Sequence, residues 1–174
     1  MEVRQLKITS FNCSGFKPRN YDYTIDVYNK CDILLLQETW LYNFESVQFH
    51  NIIPGCQYYT TSAMDESDIG RIGRPYGGCA VIWHSDLALS VTPVSTASHR
   101  ICAVVVKSEN INMVLYNVYM PCDDCSHESW ITYGEVLYEM LSLFDVYNGF
   151  DIIIGGDLNV DFNKNNSRNL GLLK

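Results

Sequence analysis

The sequence predicts an α/β fold with mixed sheets, more strand than helix, stacked in layers. Short runs rich in β-branched and aromatic residues recur along the chain, bounded by Gly, Pro, Asn or Asp. One long segment near the C-terminus instead repeats its apolar residues at helical spacing. Composition sets the outer limits. A chain of 174 residues that is 47% hydrophobic, 13% aromatic and 18% charged suits one globular domain and excludes a disordered tail, a collagen-like repeat or a coiled coil. No apolar run approaches the roughly 20 residues of a membrane span, so no membrane partner is expected. No internal repeat or interdomain linker is visible.

Taken in order, Leu6 to Asn12 alternates as a strand, and Ser14-Gly15-Phe16-Lys17-Pro18 reads as a loop. Asp22 to Lys30 is a short helix carrying Ile25 and Tyr28 on one face. Ile33 to Gln37 is an uninterrupted apolar run, the pattern of a strand covered on both sides, and it stops at Glu38-Thr39-Trp40. Tyr58 to Thr61 is a short strand, and Ser62 to Tyr76 a long polar surface loop. Gly78 to Trp83, Leu89 to Pro93, Ile101 to Val106 and Asn112 to Tyr119 read as a meander of four strands. Glu128 to about Tyr147 is a helix with a stripe of Trp130, Tyr133, Leu137, Met140, Leu141 and Phe144, and Gly149 stops it. Asp151 to Gly155 is the last strand, running into Gly156-Asp157-Leu158-Asn159.

Twenty acids against twelve bases give a net charge of −8, which argues against non-specific nucleic-acid binding driven by phosphate neutralisation. The charge is uneven. Residues 1–20 hold Arg4, Lys7, Lys17 and Arg19 against Glu2, whereas Ser108 to Asn163 holds ten acids and no Lys or Arg. Most of those acids suit a solvated face, with two or three left as candidate metal ligands. Seven cysteines and an N-terminus without an apolar signal segment predict reduced thiols in an intracellular protein, nuclear or cytoplasmic and not secreted. Cys122-Asp-Asp-Cys125 lacks the second ligand pair of a structural zinc site and reads as a loop, while Cys13, Cys79 and Cys102 read as core residues.

Three apolar strands end on oxygen-bearing side chains: Asn12, Glu38, and the Asp157/Asn159 pair. Ligands collect where strand ends converge in layered α/β folds. Carboxylate and amide oxygens without thiolate or imidazole suit a hard cation such as Mg²⁺, held by few protein ligands plus water and phosphate. In an extended Asp157-Leu158-Asn159 segment the two side chains would share one face, and Gly155-Gly156 would allow close backbone approach.

The strings Ile8-Thr9-Ser10-Phe11-Asn12, Leu35-Leu36-Gln37-Glu38-Thr39-Trp40, Asn117-Val118-Tyr119-Met120-Pro121 and Gly156-Asp157-Leu158-Asn159-Val160 occur in an order and at spacings that together resemble the endonuclease/exonuclease/phosphatase superfamily. Gly77-Gly78-Cys79-Ala80-Val81-Ile82-Trp83 is similar to the family's glycine-led central strand. The likeness is greatest to the apurinic/apyrimidinic-endonuclease-like branch of non-LTR (LINE-type) retrotransposon polyproteins. Arg74-Pro75-Tyr76-Gly77-Gly78 and Arg100-Ile101-Cys102-Ala103-Val104 look like invertebrate elements of that kind.

The resemblance implies a four-layer α/β sandwich, two mixed sheets face to face with helices outside, that hydrolyses phosphodiesters with Mg²⁺ or Mn²⁺. Glu38 would be the main metal ligand with Asn12 beside it. Asp157 would position or deprotonate the attacking water, Asn159 would orient the scissile phosphate, and Tyr119 would stabilise charge on its oxygens. Arg71, Arg74 and the basic N-terminal segment would contact the DNA backbone. Sphingomyelinase-like and pancreatic-deoxyribonuclease-like members carry His where this chain has Tyr119; the AP-endonuclease-like branch carries Tyr. The implied partner is DNA, with native fusion to a reverse transcriptase and no obligate protein partner.

The family pattern closes with a Ser-Asp-His motif, with a further Asp on an earlier strand; this sequence carries neither, and none of His50, His84, His99 and His127 matches a family position. The expectation is therefore one domain over residues 1–174, incomplete at its C-terminus, with nicking impaired or absent. The alternatives are a non-catalytic remnant or interaction fragment, and a phosphatase or phosphodiesterase of the same superfamily acting on a lipid or inositol phosphate.

Overall fold

The computed structural model describes residues 5–64 and 75–161. Eight strands form two four-stranded mixed sheets. In the first, β1 (Ile8–Asn12) lies parallel to β2 (Ile33–Gln37), followed by antiparallel β4 (Cys79–His84) and β3 (Cys56–Thr61). In the second, β5 (Ser90–Val94), β6 (Ile101–Lys107) and β7 (Asn112–Tyr119) form an antiparallel meander, with β8 (Asp151–Asp157) parallel to β7. The expected four-strand meander is thus divided. Residues 79–83 extend the first sheet between β2 and β3, because the apolar faces of β4 are both covered there.

Strand alternation builds the layers. On β2, Ile33 and Leu35 face the second sheet, packing with Val81, Cys102, Val104 and Leu115. Leu34 and Leu36 face outward onto Phe16, Tyr28 and Phe49, beneath α1 (Tyr21–Tyr28) and α2 (Gln48–Ile52). Across the molecule, Ala103, Val114, Tyr116 and Val118 pack under α3 (His127–Val146). The order is helix, sheet, sheet, helix, the expected four-layer sandwich. Every residue of β2 is buried, as its unbroken apolar run requires.

Three local differences have physical causes. The expected α3 stripe holds at Tyr133, Leu137, Met140 and Phe144, but Val136 is buried and Leu141 is 51% exposed, because the 3.6-residue period puts Val136 rather than Leu141 on the face that Tyr133 and Met140 share. Residues 43–52, which carry no clear periodicity, form a single 3-10 turn and α2, anchored by the fully buried Phe49. The last strand continues two residues past Gly155. At Gly156, with φ +138°, a Cβ would collide with the Val118 backbone, so only glycine lets β8 lie this close to β7.

Among the described residues β8 pairs with β7 alone, and Ile152, Ile153 and Ile154 stay 38%, 38% and 43% exposed. No helix among the described residues is long and apolar enough to cross a membrane.

Candidate active site

Both parallel pairs deliver their C-terminal ends to the same place. In the first sheet Asn12 lies in register with Gln37, one residue before Glu38, and in the second Tyr119 lies in register with Asp157. Ser10, Gln37 and Asn117 tie the sheets together behind this point. Gln37 Nε2 donates to Asn117 Oδ1 at 2.6 Å and to Ser10 Oγ at 3.1 Å, and Asn117 Nδ2 donates to the carbonyls of Leu36 and Ala80, each at 2.8 Å. Gln37 and Asn117 are buried, so the strut satisfies polar groups that would otherwise destabilise the core and fixes the spacing of the sheets.

Asn12 joins the two sheets at the front. Its Nδ2 donates to Glu38 Oε1 at 2.8 Å and to Asp157 Oδ2 at 3.0 Å, while its Oδ1 accepts from Ser14 N at 3.1 Å. Glu38 Oε2 accepts from Trp40 Nε1 at 3.2 Å. Asp157 Oδ1 accepts from Asn159 N at 3.0 Å. Two carboxylates are therefore held together by one neutral amide. The expected Asn12, Glu38 and Asp157 converge.

Asn159 takes a different route from the one expected. Its φ is +48°, so the segment is not extended; the side chain turns back and Nδ2 donates to the Met120 carbonyl at 2.6 Å. The Asp157 carboxylate capping the Asn159 N–H causes this turn, and Asn tolerates the left-handed conformation better than most residues. Glu38 and Trp40, at φ +55° and +56°, are also left-handed. Such conformations cost about 1–3 kcal/mol each and persist where surroundings over-determine them. Here Thr39 N and Trp40 N donate to the Gly78 and Gly77 carbonyls at 3.1 and 3.0 Å, and Gly15 N donates to the Glu38 carbonyl at 2.7 Å. Asn20 fastens the loop after Asn12 by donating to the Cys13 and Gly15 carbonyls, both at 2.7 Å.

Tyr119 closes the group. Burial, and then the charge of Glu38 and a hydrogen bond to it, push its phenol up to about 12; Asp157 acts in the same direction and Arg100 opposes them. The hydroxyl is thus a protonated donor at neutral pH. Beside the cluster an open cleft of about 670 Å³ is walled by Asn12, Asp157 and Asn159.

Arg71 and Arg74 lie outside the described residues. Of the basic N-terminal segment, Lys17 and Arg19 sit near Asn12: Lys17 Nζ lies 4.8 Å from the Trp40 ring centre and Arg19 Nη2 donates to the Ser14 carbonyl at 3.1 Å. Lys7 does not join them. It precedes β1, and its N–H donates to Asp32 Oδ2 at 2.8 Å at the opposite end of the sheet. The histidines have other partners: His84 Nε2 lies 3.0 Å from the Cys31 carbonyl, and His50 and His127 pack on Tyr58 and Trp130. Sequence reasoning overlooked Arg100 as a site residue; counting rungs back from the β6–β7 turn would have set it opposite Tyr119.

The donor set is two carboxylates and amide oxygens, and among the described residues no three His, Cys, Asp or Glu side chains gather as a metal-binding group. Glu38 and Asn12, with the Asp157 carboxylate beside them, nevertheless fit a hard divalent cation. A half-turn of the Asn12 amide directs Oδ1, instead of two donors, between the carboxylates.

Fold and cluster define a two-sheet α/β sandwich with an acid–amide site at converging strand ends. A profile of the endonuclease/exonuclease/phosphatase family matches residues 9–172, and the chain belongs to that family. No curated protein sequence matches it. Among solved structures it is similar to the endonuclease domain of TRAS1, a telomere-specific non-LTR retrotransposon, with 15% identity and TM-score 0.67 over 97% of this chain and 70% of that one. It is similar to an AP endonuclease from Archaeoglobus fulgidus, with 22% identity and TM-score 0.59 over 90% of this chain and 58% of that one. It is also similar to a mannosyl-6-phosphatase of Bacteroides thetaiotaomicron, with 16% identity and TM-score 0.61 over 92% and 68%. At these identities the likeness is one of fold. The chain spans between 55% and 70% of the length of such structures.

Proposed function

We propose that the chain is the metal-dependent, DNA-nicking phosphodiesterase domain of a non-LTR (LINE-type) retrotransposon polyprotein, joined natively to a reverse transcriptase. The observation that carries the reading is the Asn12 amide bridging Glu38 and Asp157 where four strand ends meet. The fold shared with the TRAS1 endonuclease domain supports the retrotransposon context.

Glu38 and Asn12 would hold the cation, Mg²⁺ or Mn²⁺. When bound, it supplies Lewis-acid polarisation of the phosphoryl group and offsets charge on the leaving oxygen. Asp157, which accepts a hydrogen bond from the Asn159 N–H, orients the attacking water and accepts its proton. The Tyr119 hydroxyl donates toward the developing charge on the phosphate oxygens, and Asn159 orients the phosphate from the cleft wall. Arg71, Arg74, Lys17 and Arg19 contact the DNA backbone, which offsets the overall −8 locally.

The test is nicking of supercoiled plasmid by the complete polypeptide its gene encodes, against Glu38→Ala. Mg²⁺-dependent nicking that falls at least about 100-fold in the variant is expected. Equal nicking by both proteins overturns the reading, as does release of phosphate from p-nitrophenyl phosphate with the plasmid left intact.

A further inference from the structure

We infer that Arg100 is the positioning residue for Tyr119, setting where its hydroxyl meets the phosphate; this rests on the phosphodiesterase reading of the cluster.

Tyr119 is the last residue of β7, and beyond it the chain leaves the sheet through Met120 and Pro121. A side chain at a strand end has fewer neighbours to fix its rotamer than one in mid-strand. Arg100 supplies that constraint from three directions. The β6–β7 register, with Ile101 opposite Val118, places Arg100 opposite Tyr119, and Tyr119 N donates to the Arg100 carbonyl at 2.9 Å, adding one rung beyond the strand. The Arg100 side chain then folds back, and Nη1 donates to the Tyr119 carbonyl at 3.2 Å. The guanidinium carbon finally lies 5.5 Å from the centre of the Tyr119 ring, within cation–π range. Backbone and ring of one residue are thus held by one arginine.

The arrangement uses features particular to arginine. A planar fork can direct one N–H at a carbonyl while its face lies over an aromatic ring, whereas a lysine ammonium is a point charge that serves one of these at a time.

The experiment compares Arg100→Gln, Arg100→Lys, Tyr119→Phe and the Arg100→Gln/Tyr119→Phe double variant in two readouts. In protein carrying ¹³C-labelled tyrosine, the Tyr119 ring signal is the one lost in Tyr119→Phe. It is expected to shift and broaden in Arg100→Gln, to move less in Arg100→Lys, and to leave the signals of Tyr28 and Tyr133 in place. In Mg²⁺-dependent plasmid nicking, Arg100→Gln is expected to lower kcat about 10- to 100-fold, the scale of a misplaced catalytic group, with KM within about 2-fold. Arg100→Lys should recover part of that loss. In the Tyr119→Phe background Arg100→Gln should cost less than about 2-fold, because the residue it positions no longer reaches the phosphate. A Tyr119 signal unmoved in Arg100→Gln overturns the inference. So does a loss confined to KM, or one that multiplies with that of Tyr119→Phe, since either makes Arg100 an independent DNA contact. A wild-type protein that nicks no DNA overturns the endonuclease reading instead, and the ring signal alone then decides the Arg100–Tyr119 pairing.

Discussion

Asn12→Asp puts the bridge between the sheets under direct strain. The wild-type amide donates to Glu38 at 2.8 Å and to Asp157 at 3.0 Å. The substitution removes both bonds and sets a third carboxylate against two others. Two unit charges about 4 Å apart repel by about 4 kcal/mol at an effective dielectric of about 20. All three positions are only partly buried, so solvent screening reduces this to about 1–2 kcal/mol per pair, or about 2–4 kcal/mol in total. At about 2–4 °C per kcal/mol for a domain of this size, Tm in EDTA falls by roughly 4–16 °C. The pH dependence follows from the sign of the shift. Repulsion raises at least one folded-state carboxyl pKa above its unfolded value, so the destabilisation is full above the folded pKa and is relieved as pH falls through it. A divalent cation relieves it as well, so MgCl₂ should stabilise Asn12→Asp more than wild type. Urea unfolding followed by tryptophan fluorescence, at about pH 8 and about pH 5, with EDTA or MgCl₂, measures each term. Equal stability of the two proteins in EDTA at the higher pH refutes the reasoning, and so does equal stabilisation of both by MgCl₂.

Three further outcomes follow from the packing. Gln37→Leu leaves Asn117 Oδ1 without its donor inside the intersheet strut, and chemical denaturation should show a loss of about 1–3 kcal/mol. Tyr116 OH is buried with no hydrogen-bond partner among the described residues. Tyr116→Phe should therefore leave unfolding free energy unchanged or raised by up to about 1 kcal/mol, and a clear loss would contradict that packing. Under native conditions a thiol reagent should modify the exposed Cys122 and Cys125 quickly and the five buried cysteines only on unfolding. Burial pushes the thiols of Cys13 and Cys102 up to about 12, so neither forms reactive thiolate near neutral pH, and a third fast thiol would count against the core.

Much of the fold could be read from the amino acids because its core elements have unambiguous periods. The unbroken run at Ile33 to Leu36 marks a strand buried on both faces, and it is one. Asn12, Glu38 and Asp157 stood out because polar oxygens abruptly end apolar strands. Sheet membership was harder. Periodicity states that residues 79–83 form a strand but not which neighbour they pair with, since β4 and β6 carry similar Cys-Ala-Val runs. Side-chain direction past a strand end was also out of reach. Asn159 points where it does because of a positive φ set by the Asp157 carboxylate, a tertiary and local effect that alternation does not encode. Arg100 stands one residue before β6, and only the hairpin register brings it to Tyr119.

The central claim is that Glu38 and Asn12 hold a cation beside Asp157 at the converging strand ends. Titrating the ¹⁵N-labelled chain with Mn²⁺ and following amide line broadening tests it most directly. The amides of Asn12, Glu38 and Asp157 should vanish first, those around Asp32 and His84 at the far end of the first sheet should persist, and Glu38→Ala should abolish the selectivity. Broadening centred on the Cys122–His127 loop or on Asp32, or broadening unchanged by Glu38→Ala, would contradict the account.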